Sequence, residues 1–185
     1  MSSKLSKKSA ITFQHLPLDL ESILFGATLQ KVFIQKTSAE NEVTILQEKE
    51  VTLSINVLPG TEGGTTYYFS EAGNSCVTGK SPHDSALVFV ANDAPHRFFK
   101  RHGVDLEYTA EIVSAQTAPG SSLEIPTLGD EKPLVMVINQ LITSETVIKL
   151  QGYGLPYQQN NNKRGNLIVK FKIVDQMNSP GKFSL

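Results

Sequence analysis

Four histidines and a single cysteine are the residues of this 185-residue chain best suited to acid–base, nucleophilic or metal chemistry. His96 and His102 are six positions apart, without the H-x-x-x-H spacing or the accompanying carboxylate of a helical metal site. Cys76 alone cannot supply the paired C-x-x-C motifs of a structural zinc site. The spacing therefore favours a structural hydrogen-bonding role for His96 and predicts no metal and no other cofactor.

The stretch "SPHDS", residues 81–85, contains the three residue types of a serine hydrolase triad. Triad residues meet through the fold and not by adjacency, and the chain has no G-x-S-x-G motif. The glycine-rich stretches "PGTEGGTT" and "GYGLPY" lack the lysine and strand context of phosphate-binding loops, so they indicate turns. We predict no catalytic residues and no enzymatic activity.

The stretch "PHRFFKRHGVDL", residues 95–106, combines three cations with two phenylalanines, which could contact a nucleic-acid backbone and stack on bases. Asp93, Asp105 and Glu107 flank or interrupt it, however, and the formal net charge of the chain is -1. This balance favours a salt-bridged structural joint, and it predicts no nucleic-acid partner.

The remaining composition fits a cytoplasmic protein. No apolar stretch approaches the roughly 18 to 20 residues that span a bilayer, so we predict no membrane partner. The lone cysteine suits a reducing compartment. Residues 1–10, "MSSKLSKKSA", lack the apolar core of a signal peptide and are expected to be a disordered leader or a cloning remnant.

Short apolar runs rich in Val, Ile, Thr, Phe and Tyr alternate with polar residues, which is the period of half-buried strands. "TLQKVFIQKT" and "EVTILQEKEVTLSINVL" predict a long hairpin that turns at residues 38–41. One short helix is expected at "LDLESILFG", capped by Asp19 and ended by Gly26. The segments 73–82 and 151–165 are rich in turn-forming and polar residues and are predicted as loops.

Six motifs in one order give the chain its resemblance to a known family. The stretch at residues 95–106 resembles the P-H-x-x-F-x-R-x-G-x-D-L signature of DnaJ-type co-chaperone C-terminal regions. "LPLDLESILFG", "LPGTEGGT", "IPTLGD", "GYGLP" and "RGNLIVKFKI" are similar to further family motifs in the expected order. The resemblance covers roughly residues 11–175.

The resemblance implies a mainly all-β fold made of two similar small β-sandwich subdomains in tandem, with a few short helices. The first subdomain is expected at residues 11–94, a joint at 95–103, the second subdomain at 104–175, and a truncated or divergent tail at 176–185. No J domain with its His-Pro-Asp tripeptide precedes the region, since "PHD" at residues 82–84 has another order. No cysteine-rich zinc region is inserted, so the resemblance is to the class that lacks it.

The resemblance also implies a function. Members bind unfolded client polypeptides in an apolar depression of the first subdomain, and several dock the acidic tail of a DnaK-type chaperone through lysines. Matched to this sequence, the depression consists of Leu16, Phe33 or Ile34, Leu53 and Phe89. At the place where family members carry the lysines of the tail site, this sequence has Lys31, Lys36 and Lys49. The joint is expected to use Pro95, His96, Phe99, and an ion pair between Arg101 and Asp105.

The end of the sequence leaves one part of the implied function open. Family members form homodimers through a short C-terminal helix, whereas "NSPGKFSL" at the end of this chain is short and contains Pro180 and Gly181. We therefore expect dimerisation to be weakened or built differently. The alternative to a client-binding co-chaperone region is a scaffold or assembly protein that keeps the two-sandwich shape without chaperone activity.

Overall fold

The computed structural model describes residues 11–39, 45–70, 72–78, 81–129 and 132–174. Most of these residues form strands, which confirms the predicted all-β class. The predicted leader and tail lie outside the described residues. The described elements are β1 (Ile11–Leu18), α1 (Leu20–Phe25), β2 (Ala27–Ala39), β3 (Ile45–Val57), β4 (Thr66–Phe69), β5 (Ser75–Thr78), β6 (Ser81–Asp84), β7 (Ala86–Asp93), β8 (Phe99–His102), β9 (Asp105–Val113), the 3-10 helix Ser114–Gln116, β10 (Ser122–Ile125), β11 (Leu134–Val137), β12 (Val147–Tyr157) and β13 (Asn160–Val174).

The chain divides into two compact units. Unit 1 contains the described residues of the ranges 11–18, 27–57 and 61–93, and unit 2 contains those of 19–26, 58–60 and 94–174. The helix α1 thus belongs to unit 2, although the sequence motif had placed it with the strands that precede and follow it. The segment 95–103 also lies in unit 2, and its role as a joint stays a prediction.

Unit 1 is built from two sheets with strand orders β1-β7-β4 and β3-β2-β5-β6. The first sheet is buried along β7, where the four consecutive residues from Ala86 to Phe89 are buried and Val90 is half-buried. β7 is the central strand of that sheet and pairs with β1 on one side and β4 on the other, which explains its continuous apolar run.

The predicted long hairpin is confirmed. β2 and β3 pair antiparallel from Ala27 opposite Val57 to Thr37 opposite Gln47. Ser38 and Ala39, which were predicted to be part of the turn, belong to β2, and the other predicted turn residues lie outside the described ranges. Alternation along both strands separates a largely buried face, with Ile55 and Val57 only 1% exposed, from a face open to solvent.

Unit 2 contains a four-stranded sheet of order β12-β13-β9-β8 and a second, two-stranded sheet formed by β10 and β11. β13 and β9 run parallel, and the other pairs of the larger sheet are antiparallel. One face of this sheet is apolar because alternate residues of its strands are buried. The buried set of this face includes Phe99, Leu106, Ala110, Ile112, Leu167, Val169 and Phe171.

The short helix forms where the sequence predicted it, and it buries Leu20, Ile23 and Leu24 on one side. Gly26 ends it, with a φ of 79° and its N–H bonded to the Ser22 carbonyl at 2.9 Å. Asp19 occupies the N-cap position, but its side chain makes no capping hydrogen bond, so that part of the prediction is wrong. Its backbone carbonyl instead accepts the N–H of Ile23 at 3.2 Å.

Two predicted loops contain strands. The segment 73–82 contributes β5 and the start of β6, which pair with each other while β5 adds parallel to the end of β2. The segment 151–165 carries the end of β12 and the start of β13, which close a hairpin at Tyr157 and Asn160. Backbone pairing decides these strands, because cross-strand hydrogen bonds form regardless of the turn-forming side chains.

Glycines at two family motifs allow the backbone of unit 2 to pack closely. An added Cβ at Gly154 would lie 2.5 Å from the Val104 carbonyl oxygen, and one at Gly165 would lie 2.6 Å from the Val104 carbonyl carbon. The same carbonyl accepts the N–H of Leu155 at 2.8 Å. The glycines of "GYGLP" and "RGNL" therefore allow β12 and β13 to approach the turn between β8 and β9 closely.

Candidate functional site

The β2–β3 hairpin places Phe33 and Leu53 on the same face. Phe33 lies opposite Val51, and Lys31 lies opposite Leu53. Residues opposite each other in an antiparallel pair point to the same side of the sheet, so the four share one surface. We call the set Leu29, Lys31, Phe33, Val51 and Leu53 the inner face.

Ile34, the alternative to Phe33, points the other way. It lies opposite Glu50 and is 49% exposed, next to Val32, which lies opposite Thr52. A one-residue change of register moves every side chain of a strand to the other face, which is why the sequence alone left the two residues open. Phe33 is therefore the residue that shares a face with Leu53, although at 8% exposure it offers little surface of its own.

Leu16 and Phe89 lie in the core of unit 1. Their exposed fractions are 0% and 2%, and the Phe89 ring packs edge-to-face on Phe69 with centroids 6.0 Å apart. At these exposures neither side chain offers surface to a bound segment in the described structure. Both residues can support a binding surface only through packing in the core. Substituting either one would lower the stability of the fold, so a loss of binding could not be assigned to a lost contact.

Several other apolar side chains of unit 1 are partly exposed, unlike Leu16 and Phe89. On the inner face Leu29, Val51 and Leu53 are half-buried, and Tyr67 and Phe69 on β4 are half-buried as well. The sequence reasoning did not select these other residues, although alternation along "TLQKVFI" contains the signal for Leu29. Half-buried apolar surface of this kind can take up apolar side chains of a partner.

The strand that carries Leu53 lies at the edge of its sheet. The strand order β3-β2-β5-β6 leaves one side of β3 without a strand neighbour among the described residues. An edge strand offers backbone N–H and C=O groups to an added extended segment. Backbone hydrogen-bonding groups and apolar side chains therefore occur together at Leu53.

The three lysines of the expected tail site are not brought together. Lys31 lies on the inner face opposite Leu53, and Lys49 lies farther along the same hairpin opposite Gln35. Lys36 points to the other face, where its Nζ pairs with Glu48 at 3.3 Å. Lys31 and Gln35 are four positions apart on the strand, which is about 13 Å, so the three charges do not converge on one carboxylate.

His96 organises the segment that the sequence marked as a joint. Its Nδ1 accepts the backbone N–H groups of Phe98 at 3.2 Å and Phe99 at 3.1 Å, and its Nε2 lies 3.3 Å from the Glu21 carboxylate. The ring stacks on Phe99, which is 4% exposed, with centroids 5.1 Å apart. All of these contacts lie within unit 2.

The expected ion pair between Arg101 and Asp105 is wrong. Asp105 Oδ1 accepts the backbone N–H of Asn166 at 2.6 Å and its side-chain amide at 2.9 Å, and Arg101 Nε donates to the Gly103 carbonyl at 2.8 Å. Arg101 lies opposite Leu106 and Asp105 lies opposite His102, so the two side chains point to opposite faces of the sheet. The hydrogen bonds between Asp105 and Asn166 instead link β9 to β13, and sequence reasoning did not predict them because the two residues are far apart in the chain.

The other candidate residues for chemistry do not form a site. Within the described ranges no group of three or more His, Cys, Asp and Glu side chains is placed to hold a metal ion. His102 lies 3.5 Å from Glu107, whose stronger partner is Lys170 at 2.7 Å. His83 and Cys76 lie on β6 and β5, and their side chains are outside the described set. No helix of the described chain is long and apolar enough to cross a membrane.

A protein-family comparison matches residues 13–174 to the DnaJ C terminal domain. The chain belongs to the DnaJ C-terminal domain family. It is 38% identical to DnaJ protein homolog 1 of Drosophila melanogaster over 126 residues, which are 68% of this chain and 37% of that protein. It is 32% identical to human DnaJ homolog subfamily B member 5 over 158 residues, 85% of this chain and 44% of the relative.

A bacterial relative matches the same region. The chain is 35% identical to the chaperone protein DnaJ of Desulfitobacterium hafniense over 126 residues, 68% of this chain and 32% of that protein. The chain thus spans less than half the length of these DnaJ proteins. The resemblance recognised in the motifs is confirmed, and the DnaJ C-terminal domain family is not an enzyme family.

Proposed function

We propose that this DnaJ C-terminal domain region is part of a co-chaperone and holds extended apolar segments of unfolded client polypeptides on unit 1. The client would add along the edge of β3 and place apolar side chains against the inner face around Leu53. The observation that carries this proposal is the half-buried apolar inner face on a sheet edge, in a chain whose relatives include a protein named as a chaperone. The single cysteine fits a reducing compartment, so we place this activity in the cytoplasm.

The position of Lys31 opposite Leu53 refines the kind of segment that fits. Lys31 is half-buried directly opposite Leu53, so a cation stands within an otherwise apolar surface. A client segment that carries one acidic residue among apolar ones would satisfy this lysine, whereas a lysine at the same place would be repelled.

We include docking of a DnaK-type chaperone in the proposal, but we assign its acidic tail to no defined set of lysines. Lys36 is engaged by Glu48 and points away from the inner face, and Lys31 and Lys49 stand apart. Unit 1 therefore offers single cations and no converging set. A homodimer through the C-terminal residues is also part of the expected family behaviour, but those residues lie outside the described ranges.

The competing function is a scaffold without chaperone activity. An assay that measures suppression of the aggregation of an unfolded client distinguishes the scaffold from a co-chaperone. Insulin reduced with dithiothreitol precipitates through its B chain, and light scattering follows the process. We expect the full 185-residue chain to delay and reduce scattering in proportion to its concentration. Scattering unchanged at a several-fold molar excess of folded protein would favour the scaffold.

A further inference from the structure

The outer face of the four-stranded sheet of unit 2 is rich in charge. Alternation turns this face away from buried Leu106, Leu167 and Val169 on the other side of the sheet. One row runs across all four strands, from Lys149 through Ile168 and Glu107 to Lys100. The lysines of the face are Lys100, Lys149, Lys170 and Lys172, and its carboxylates are Asp105, Glu107 and Glu111.

Each carboxylate of this face is already engaged. Lys170 Nζ lies 2.7 Å from Glu107, Lys172 Nζ lies 2.7 Å from Glu111, and Asp105 accepts from Asn166. Glu107 is also the neighbour of His102 at 3.5 Å. The hydrogen bond from Lys170 holds the pKa of Glu107 below its usual value against the effect of burial, and the charges of Lys170, His102 and Lys100 lower this pKa further.

Positive charge is therefore left over on the outer face. Lys100 and Lys149 stand at the two ends of the row and are both exposed. Neither has a carboxylate within 4.0 Å among the described side chains. Their ammonium groups are open to a carboxylate from another molecule.

A groove adjoins the Lys100 end of this row. It encloses about 560 Å³, and its walls include Arg97, Phe98, Lys100, Glu107, Thr109 and Glu111. The Arg97 guanidinium lies 4.8 Å from the centroid of the Phe98 ring, which is 47% exposed. An additional cation and an exposed aromatic ring thus stand side by side at the groove, a combination that suits an acidic segment with an apolar residue.

We propose that the outer face of unit 2 binds an acidic polypeptide segment, with its carboxylates on Lys100, Lys149 and Arg97 and an apolar side chain on Phe98. Alternate residues of an extended peptide are about 6.6 Å apart, so its carboxylates can reach separate cations and avoid the three carboxylates of the face. A nucleic acid suits this surface less, because Glu107 and Glu111 would repel an unbroken phosphate backbone. The site is separate from the proposed client surface of unit 1.

The test measures fluorescence anisotropy of a labelled peptide that alternates Glu with Ser and carries one central Leu, too few apolar residues to suit the inner face of unit 1, against a peptide with Gln in place of every Glu. We expect the full chain to bind the Glu peptide and to lose affinity as salt rises from about 0.05 to 0.3 M. The double variant Lys100→Gln/Lys149→Gln should bind about 3- to 10-fold more weakly, as for two exposed ion pairs. Lys100→Arg/Lys149→Arg should retain binding. This result would show that Lys100→Gln/Lys149→Gln binds more weakly because it loses charge and not because it loses packing.

A second double variant locates the site. Lys36→Gln/Lys49→Gln removes two exposed lysines of unit 1 and should leave the affinity for the Glu peptide within about 2-fold. A larger loss in this variant than in Lys100→Gln/Lys149→Gln would overturn the proposal, as would equal binding of the Gln peptide. Tighter binding of a single-stranded oligonucleotide through Lys100 and Lys149 would overturn it in favour of nucleic acid. Thermal unfolding followed by circular dichroism verifies that each variant is folded.

Discussion

His96 holds its ring proton on Nε2 and directs it at the carboxylate of Glu21, 3.3 Å away and 75 positions earlier in the chain. The hydrogen-bond network assigns this tautomer, since Nδ1 accepts two backbone N–H groups and cannot carry the proton in that state. The histidine of the family motif thus performs two structural tasks in unit 2. It caps the turn at Phe98 and Phe99, and it connects that turn to the first turn of α1.

Replacing His96 by Ala leaves the N–H groups of Phe98 and Phe99 without their acceptor. An unsatisfied, partly buried donor costs about 1 to 3 kcal/mol, so we expect a lower thermal midpoint and faster amide hydrogen exchange at Phe99. His96→Asn is the matched control, because its Oδ1 stands at the same distance along the side chain as Nδ1 and can accept the same N–H groups. Equal exchange rates at Phe99 in wild type and His96→Ala would contradict the capping role.

Gly165 is required by space and not by backbone conformation, because its φ lies outside the left-handed region. In Gly165→Ala the new Cβ would crowd the Val104 carbonyl and lie 2.7 Å from Asp105 Oδ1. We expect a loss of about 1 to 3 kcal/mol, as for other overpacked sites, seen as a lower denaturation midpoint. Gly63→Ala should be near neutral, since nothing lies within 4 Å of its Cβ position. Similar midpoints for both variants would show that the strands near Val104 adjust freely.

The pKa of Glu107 lies below its ordinary value of 4.5, chiefly through the hydrogen bond from Lys170. A depressed pKa means that Glu107 contributes stability above pH 4.5 and that this contribution is lost as pH falls through the folded-state pKa. We expect Glu107→Gln to be less stable than wild type by up to about 1 kcal/mol at pH 7, with the difference shrinking as pH falls below 4.5 and through the lowered pKa. Urea unfolding at several pH values measures this difference. Glu62→Gln, at an exposed position, serves as the control. A stability difference between wild type and Glu107→Gln that persists in acid would show that the loss comes from packing and not from the carboxylate charge.

Much of the fold could be predicted from local pattern. The β2–β3 hairpin, the short helix and the strands after residue 104 follow from alternation and from turn residues, whose effects extend over only a few positions. The family could be recognised because its motif residues stand at backbone contacts such as Val104 with Gly165, where only one residue type fits.

The candidate site was less accessible to sequence reasoning. The choice between Phe33 and Ile34 depends on strand register, and Leu16 and Phe89 differ from Leu53 only in burial, which tertiary packing decides. The partner of Asp105 lies 61 positions away at Asn166, so its pairing with nearby Arg101 was a reasonable but wrong expectation. Short strands at 75–78 and 81–84 depend on pairing with β2 and with each other, which local composition does not encode.

Binding of an extended apolar peptide to matched variants of β3 tests the client-binding account most directly. Leu53→Glu places a charge on the inner face, and Thr52→Glu places the same charge one position away on the exposed face of the same strand. Fluorescence anisotropy of a labelled Leu- and Val-rich peptide would report both. We expect at least about 10-fold weaker binding for Leu53→Glu, because the introduced carboxylate, even when it pairs with Lys31 opposite, replaces apolar contact surface with a charge that the bound peptide would desolvate, and near wild-type binding for Thr52→Glu. Equal affinity of the folded Leu53→Glu variant and wild type would contradict the assignment of client binding to the inner face.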